Sequence, residues 1–405
     1  MPPPSNPAAP PIPVDEAGAV LSIDLAVLAD NWRALRRLVA PAECSAVVKA
    51  DAYGLGVARV APVLRDAGCR CFFVAHLAEG RALRAILAAG DPDPSSAPRI
   101  LVLNGVPPGT AAVFAAHDLI PVLNSLSQLA EWSALGGSRA APLPAAIQLD
   151  TGMSRFGFPP EDTATLDRAL DRSPFVHPVL LMSHLGCADE PEHPANAAQL
   201  AAFHAARAAL PPMPASLAAS FGIALGSSFH LDMVRPGAAL YGVAVPALPP
   251  GILRPVVRLR GRVAQLRTVP AGAFVGYGAR FVASRPTRVA TVAVGYADGF
   301  LRAAGAPCDG TPPAIVHHPD GGPALPVIGR ISMDSLAVDV SALPPDALRE
   351  GDGLDLIGPH RSLDEAAASA GTIGYELLTA LGARYHRHYL PASRVTPPMH
   401  DEAAP

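Results

Sequence analysis

Ser45–Gly56 reads SAVVKADAYGLG: a short apolar run, Ala46–Lys49, that passes at once into a loop carrying Tyr53, Gly54 and Gly56. Runs of the same length and character recur at Cys71–Ala75, Ile100–Leu103, Ile120–Leu123, Ala145–Asp150, Val179–Ser183, Ser216–Ala219 and Ala238–Tyr241. Between most of them lie Ala/Leu/Arg-rich stretches with helical spacing, such as Leu77–Ala89, Leu126–Leu135, Thr163–Leu170 and Ala195–Leu210. Short runs apolar on both faces and separated by helices are the sequence form of a parallel sheet. Eight of them in about 200 residues predict a closed (β/α)8 barrel, with a doubly wound open sheet as the alternative. In a barrel the chemistry gathers at the carboxyl ends of the strands, which is where Lys49 falls.

That lysine is unusual for another reason. The chain holds 31 Lys and Arg residues, and Lys49 is the only lysine among them. A bias toward arginine accounts for the other thirty but not for the one position that escaped it. A guanidinium keeps its proton and cannot form an imine, whereas a lysine amine can lose its proton and attack a carbonyl. Lys49 is therefore a candidate for chemistry arginine cannot perform.

The rest of the composition narrows the classes. At 405 residues, half of them hydrophobic, the chain has material for two or three domains and a large core. A net charge of −4 argues against a basic nucleic-acid surface. The longest uncharged stretch, Ala208–Phe229, is interrupted by Pro211, Pro212 and Pro214 and makes a poor membrane span. Five scattered cysteines without a CxxC pair suggest neither a disulfide framework nor a zinc site. The expected setting is the cytoplasm.

Domain boundaries follow from changes in texture. Residues 1–16, proline-rich, read as a disordered tail, and 17–245 as the barrel, entered by a helix that Asp24 caps and that buries Leu25, Leu28, Trp32, Leu35 and Val39. Beyond Pro246–Pro255 the pattern turns to period two, with Arg258, Arg260 and Arg262 alternating with apolar residues. Strands are expected there and at Thr287–Tyr296, Ala314–His317, Leu336–Val340 and Leu354–Ile357, with a last helical piece at Gly374–Ala383. Residues 246–395 thus read as a mostly-β C-terminal domain and 396–405 as a tail.

Several polar residues repeat the placement of Lys49. Arg155 in DTGMSRFG lies past the fifth run, His184 in SHLGCADE ends the sixth, Ser220 follows the seventh, and Arg235 precedes the eighth. Singly, His184 reads as well as a hydrogen-bonded core histidine, the arginines as ion-pair residues and Ser220 as a turn. Together an amine, two cations, an imidazole and small loops around one barrel suit an aldehyde cofactor with a phosphate arm.

The chain resembles bacterial alanine racemases over residues 17–390. The resemblance runs in order through SIDLAVLADNWRAL, VVKADAYGLG, DTGMSRFG, SHLGCADE, DMVRPGAALYG, GYG, GYADG, GRISMD and GTIGYE. It implies a barrel with a C-terminal β domain, pyridoxal 5'-phosphate (PLP) as cofactor and interconversion of L- and D-alanine, which supplies D-alanine for peptidoglycan. By position, Lys49 matches the lysine that holds PLP and acts as one base, and Tyr277 the tyrosine working on the opposite face of the α-carbon. Arg235 matches the arginine at the pyridine nitrogen and His184 the histidine beside the ring. Tyr53, Ser220, Gly237, Ala238 and Tyr375 match the phosphate cradle. Arg155 and Met333, the latter through its backbone N–H, match residues near the substrate carboxylate, and Tyr296 a tyrosine at the entrance.

A tyrosine is a poor base near neutrality unless positive charge lowers its pKa, which suggests a cationic network through His184 and Arg235. The resemblance further implies a head-to-tail homodimer in which each barrel mouth is covered by the partner's β domain. Two departures stand out. Gln148 occupies the position of a lysine that many members carbamylate to orient the carboxylate-binding arginine, and Ala219 that of an Asn before the phosphate-site serine. Alternative readings are a PLP racemase of serine or of broad specificity and a non-catalytic PLP-carrying barrel. The latter should lack the C-terminal domain and Tyr277; a related decarboxylase should carry a cysteine loop where GRISMD has Ser332.

Overall fold

A computed structural model describes residues 12–89, 97–139, 141–305 and 314–391. The N-terminal half is the expected barrel. Its strands are β2 (Glu43–Cys44) and β3 (Ala46–Val47), which share the first position, then β4 (Cys71–Val74), β5 (Arg99–Val102), β6 (Ile120–Leu123), β7 (Leu143–Gln148), β8 (Val176–Met182), β9 (Ala215–Ser216) and β10 (Met233–Val234). All numbering starts from β1 (Ala19–Asp24), which belongs elsewhere. β3 to β9 form one parallel sheet in sequence order. β10 closes the ring by pairing in parallel with β2, and through an Ala219–Arg235 bridge beyond the end of β9.

Alternation across the strands builds two cores. Val47, Cys71, Phe73, Leu101, Val122, Ala146, Leu180 and Met182 point into the barrel, while Ala46, Phe72, Ile100, Leu123, Ile147 and Leu181 pack outward beneath the helices. That double burial explains why the strands read as unbroken apolar runs.

One strand lies elsewhere than the sequence suggested. Ala238–Tyr241 is a fully buried 3-10 turn, and the eighth strand is the two-residue Met233–Val234. The turn packs under the helix Leu25–Val39, where Asn31 donates to Leu240 O (3.2 Å) and Arg254 O (2.9 Å). The helix itself forms as expected, with Asp24 Oδ1 accepting from Val27 N at 2.9 Å.

The C-terminal half is an eight-stranded sheet of mainly antiparallel pairs. Its members are β1, β11 (Val257–Val269), β14 (Thr287–Val292), β15 (Ile315–Val316), β16 (Leu325–Ile328), β17 (Leu336–Asp339), β18 (Gly353–Ile357) and β19 (His386–Leu390). A separate hairpin, β12 (Phe274–Val275) with β13 (Phe281–Val282), projects from it. The sheet crosses the expected domain boundary: β1, placed by sequence within 17–245, pairs antiparallel with β11 and parallel with β19. Residues 12–16, expected in the disordered tail, form a turn that Arg262 holds by donating to Val14 O (2.7 Å). Residues 1–11 and the tail from 396 lie outside the described residues. Among the described residues, no helix is long and apolar enough to cross a membrane.

Candidate active site

The carboxyl ends of the barrel strands surround a cavity of about 1010 Å³. Lys49, Tyr53, Arg155, His184, Ser220, Arg235, Gly237, Ala238 and Tyr375 all line it. Nine of the residues singled out from sequence therefore share one site.

Lys49 sits just past β3 and opens a segment of rare backbone conformation. Ala50, Asp51, Ala52 and Tyr53 have φ of 52–56°, a left-handed helical turn built from L residues, and Gly54 closes it at φ 80°. Each such residue costs roughly 1–2 kcal/mol, so the turn needs outside support. Glu79 supplies it: one carboxylate oxygen accepts from Ala50 N (2.7 Å), the other from Ala75 N (2.8 Å) and His76 N (3.0 Å). Asp51 Oδ1 accepts from Val57 N at 2.7 Å, and Arg387 of the C-terminal sheet donates to Gly54 O. The apolar run thus ends as a strand two residues short of Lys49, and the lysine belongs to the turn. Burial holds its amine below the ordinary pKa, the Arg155 charge lowers it further, and Glu79 opposes both.

Arg235 follows the eighth strand, where the sequence reading had it precede one, and is 3% exposed. Its two terminal nitrogens donate to the Ser216 hydroxyl, to Ser183 O (2.6 Å) and to Leu217 O (3.3 Å), bonds that leave Nε out. Burial lowers its pKa to about 10, so it remains a cation near neutrality. His184 behaves differently. Burial, then the charges of Arg235, Arg155 and Lys49, push its pKa to about 3. The imidazole is neutral, and the expected cationic network reduces to Arg235.

A polar concavity lies on the other side. The Ser220 hydroxyl oxygen accepts from Gly237 N (2.9 Å) and Ala239 N (3.1 Å). Tyr53 leans over this loop: a Cβ on Gly237 would stand 2.3 Å from the tyrosine hydroxyl oxygen, so glycine is required there. Tyr375, on the helix Gly374–Ala380, reaches the same cavity from the C-terminal half. Asp364, Ile373 and Glu376 accompany it, so the chain's own C-terminal half covers part of its barrel mouth, contrary to the expectation that only a partner does.

Arg155 stands on a tight loop. Asp150 Oδ1 accepts from Gly152 N, Met153 N and Ser154 N at 2.9–3.1 Å, and the loop returns to pair Phe158 with Leu149. Buried Gln148 donates to Phe156 O (3.4 Å), holding the loop beside Arg155 through backbone.

Three expected site residues are not in this cavity. Tyr277, in the loop between β12 and β13, is 70% exposed; Met333 is 53% and Tyr296 40% exposed. The last two belong to one unit, because Tyr296 N donates to Ser332 O (3.1 Å) and Ala297 N to Met333 O (3.0 Å). Glu79 and Asp150, which shape the Lys49 and Arg155 loops, were not picked out in the sequence. Glu79 lies three residues after His76, the N-cap of the helix Leu77–Ala88, a capping-box spacing that could have flagged it.

The family model described as "Alanine racemase, N-terminal domain" matches residues 23–245, and "Alanine racemase, C-terminal domain" matches 256–389. The chain belongs to the alanine racemase family. It is 49% identical over 384 residues to a catabolic alanine racemase of Mesorhizobium japonicum, covering 93% of this chain and 95% of that one. An alanine racemase of Methylobacterium nodulans is 48% identical, covering 94% and 98%. Among solved structures, the alanine racemase of Bartonella henselae with covalently bound pyridoxal phosphate superposes with a TM-score of 0.85 at 40% identity, covering 92% of this chain and all of that one. The biosynthetic alanine racemase of Pseudomonas aeruginosa gives 0.83 at 36%, covering 93% and 100%. Members of this family are isomerases.

Proposed function

We propose that this chain interconverts L- and D-alanine with PLP held at Lys49, and that Tyr277 of a second copy carries the proton on the other face. The observation that carries the reading is the sole lysine, half-buried with a lowered pKa at the mouth of a barrel that also presents Arg235 and the Ser220–Gly237 concavity. The donors fit the cofactor. The hydroxyls of Tyr53, Tyr375 and Ser220, the last with its oxygen anchored by two backbone N–H groups, suit a phosphate, the Nε edge of Arg235 suits a pyridine nitrogen, and an amine suits the aldehyde. When bound, PLP withdraws electrons from the substrate α-carbon and so acidifies its proton.

The chain's own groups do the rest. An amine with a lowered pKa can take that proton at one face and return it. Arg235 keeps its own proton, so a pyridine nitrogen beside it stays unprotonated. His184, neutral, adds no charge beside the ring. Arg155 offers a cation for the substrate carboxylate.

Tyr277 at the tip of an exposed hairpin, with Tyr296 and Met333 on exposed turns, supports a head-to-tail homodimer in which one copy completes the other's site. Supply of D-alanine for peptidoglycan is the proposed role. Two relatives carry the word catabolic in their names, and a racemase serves either direction. The test is to incubate the purified protein with PLP and L-alanine and follow D-alanine, with L-serine in parallel. D-alanine should form, and Lys49→Ala should abolish it. Turnover of serine but not alanine, or an active Lys49→Ala, overturns the reading.

A further inference from the structure

The turns that carry Tyr296 and Met333 are joined by one side chain. Arg384 places Nε 3.1 Å from Asp298 Oδ1 and Nη1 2.7 Å from Asp334 Oδ1. Asp298 is buried, and its second oxygen accepts from Gly295 N at 2.8 Å, fixing the turn on which Tyr296 sits. Asp334 follows Met333 directly. Arg384 therefore holds a carboxylate from each turn, in parallel with the backbone bonds Tyr296 N to Ser332 O and Ala297 N to Met333 O. The packing leaves no slack: a Cβ on Gly295 would lie 2.3 Å from Met333 O. On its other side Arg384 follows the helix bearing Tyr375, and Gly382 N donates to Asp298 O at 2.9 Å.

We propose that Arg384 is a positioning residue that sets the relative placement of Tyr296 and the Met333 amide, and so tunes substrate affinity at the site of the other copy. The proposal rests on the composite-site reading above. A guanidinium spanning two carboxylates fixes direction as well as distance, which a lysine ammonium does less well. In this role Arg384 acts through the two turns that its carboxylate partners belong to, so its loss should act on KM and leave the chemistry.

The experiment uses mixed dimers of Lys49→Ala and Tyr277→Ala chains, whose one intact site joins the barrel of the Tyr277→Ala chain to the C-terminal face of the Lys49→Ala chain. Arg384→Gln is added to one chain or to the other. On the Lys49→Ala chain it should raise KM for L-alanine roughly five- to tenfold, the effect of one lost hydrogen bond, with kcat within about twofold and the cofactor absorption unchanged. On the Tyr277→Ala chain it should change nothing. Arg384→Lys should restore part of the KM, and Asp334→Asn, at an exposed carboxylate, should reproduce the rise in smaller measure. Active mixed dimers whose KM stays fixed, or rises equally with either placement, overturn the role of Arg384. Mixed dimers without activity overturn the composite site itself, and the role with it.

Discussion

The barrel mouth and the outer face of the C-terminal domain handle functional side chains in opposite ways. At the mouth, Lys49, His184 and Arg235 are enclosed, and burial, joined by nearby positive charge at Lys49 and His184, has already moved their pKa values. On the outer face, Tyr277, Tyr296 and Met333 stand 40–70% exposed, the last two on turns held together by backbone bonds and an ion triad. Exposed aromatic and thioether groups of this kind fit the proposed face that a second copy covers. On the proposed composite-site reading, half of the chemistry is prepared by the chain's own burial, and half is left for a second chain to desolvate.

The largest effect that could break this division is complementation. Lys49→Ala and Tyr277→Ala should each be inactive. Mixed and fully exchanged, they should recover at most about a quarter of wild-type activity, because half of the dimers are mixed and each holds one intact site of two. Mixtures as inactive as their parents would mean that each site is built within one chain.

A second test concerns the prepared half alone. Gly237→Ala drives a methyl group into the Tyr53 hydroxyl, an overpacking worth about 1–3 kcal/mol. PLP affinity, titrated by absorbance, should fall roughly tenfold to a hundredfold, while dimer mass is unchanged. Unaltered affinity would remove this loop from the phosphate cradle. A smaller loss is expected for Glu79→Ala, which strips an acceptor from Ala50, Ala75 and His76 and loosens the left-handed turn. Cofactor affinity should fall about fivefold, with Glu79→Gln recovering part of it because one amide oxygen still accepts. Equal behaviour of the two variants would show that the carboxylate's contacts do not hold Lys49.

The division also explains what could be read in the sequence. Barrel strands were visible because both faces are buried, so a run such as Cys71–Val74 carries only apolar residues. The same rule misplaced the eighth strand: Ala238–Tyr241 is apolar and buried all round as a 3-10 turn, while Met233–Val234 is too short to register. The first strand, β1, was hidden for a different reason. Its burial alternates as a sheet strand's should, but nothing local says that its partners lie more than 200 residues later. At the site, a lone lysine was legible by composition, and Tyr277 only through the resemblance, since its surroundings in this chain are solvent. Glu79 and Arg384 act through backbone and through other side chains, and residues of that kind leave little mark in a sequence.

The smallest effect sharpens the claim that burial presets the mouth. His184 takes a proton near pH 6.5 when unfolded but only near pH 3 when folded. Between those values the unfolded state binds more protons than the folded one, so stability rises with pH across the window. The contribution of the neutral imidazole is complete above pH 6.5 and is lost as the pH falls through the window toward 3. His184→Asn removes the titrating group. Urea melts of the cofactor-free protein should show the variant losing less stability than wild type between about pH 6.5 and pH 4, with the two curves parallel above pH 7. Parallel curves for His184→Asn over the whole range would mean that the imidazole is protonated in the folded cavity, and the distinction between a preset mouth and an unprepared outer face would fail at that residue.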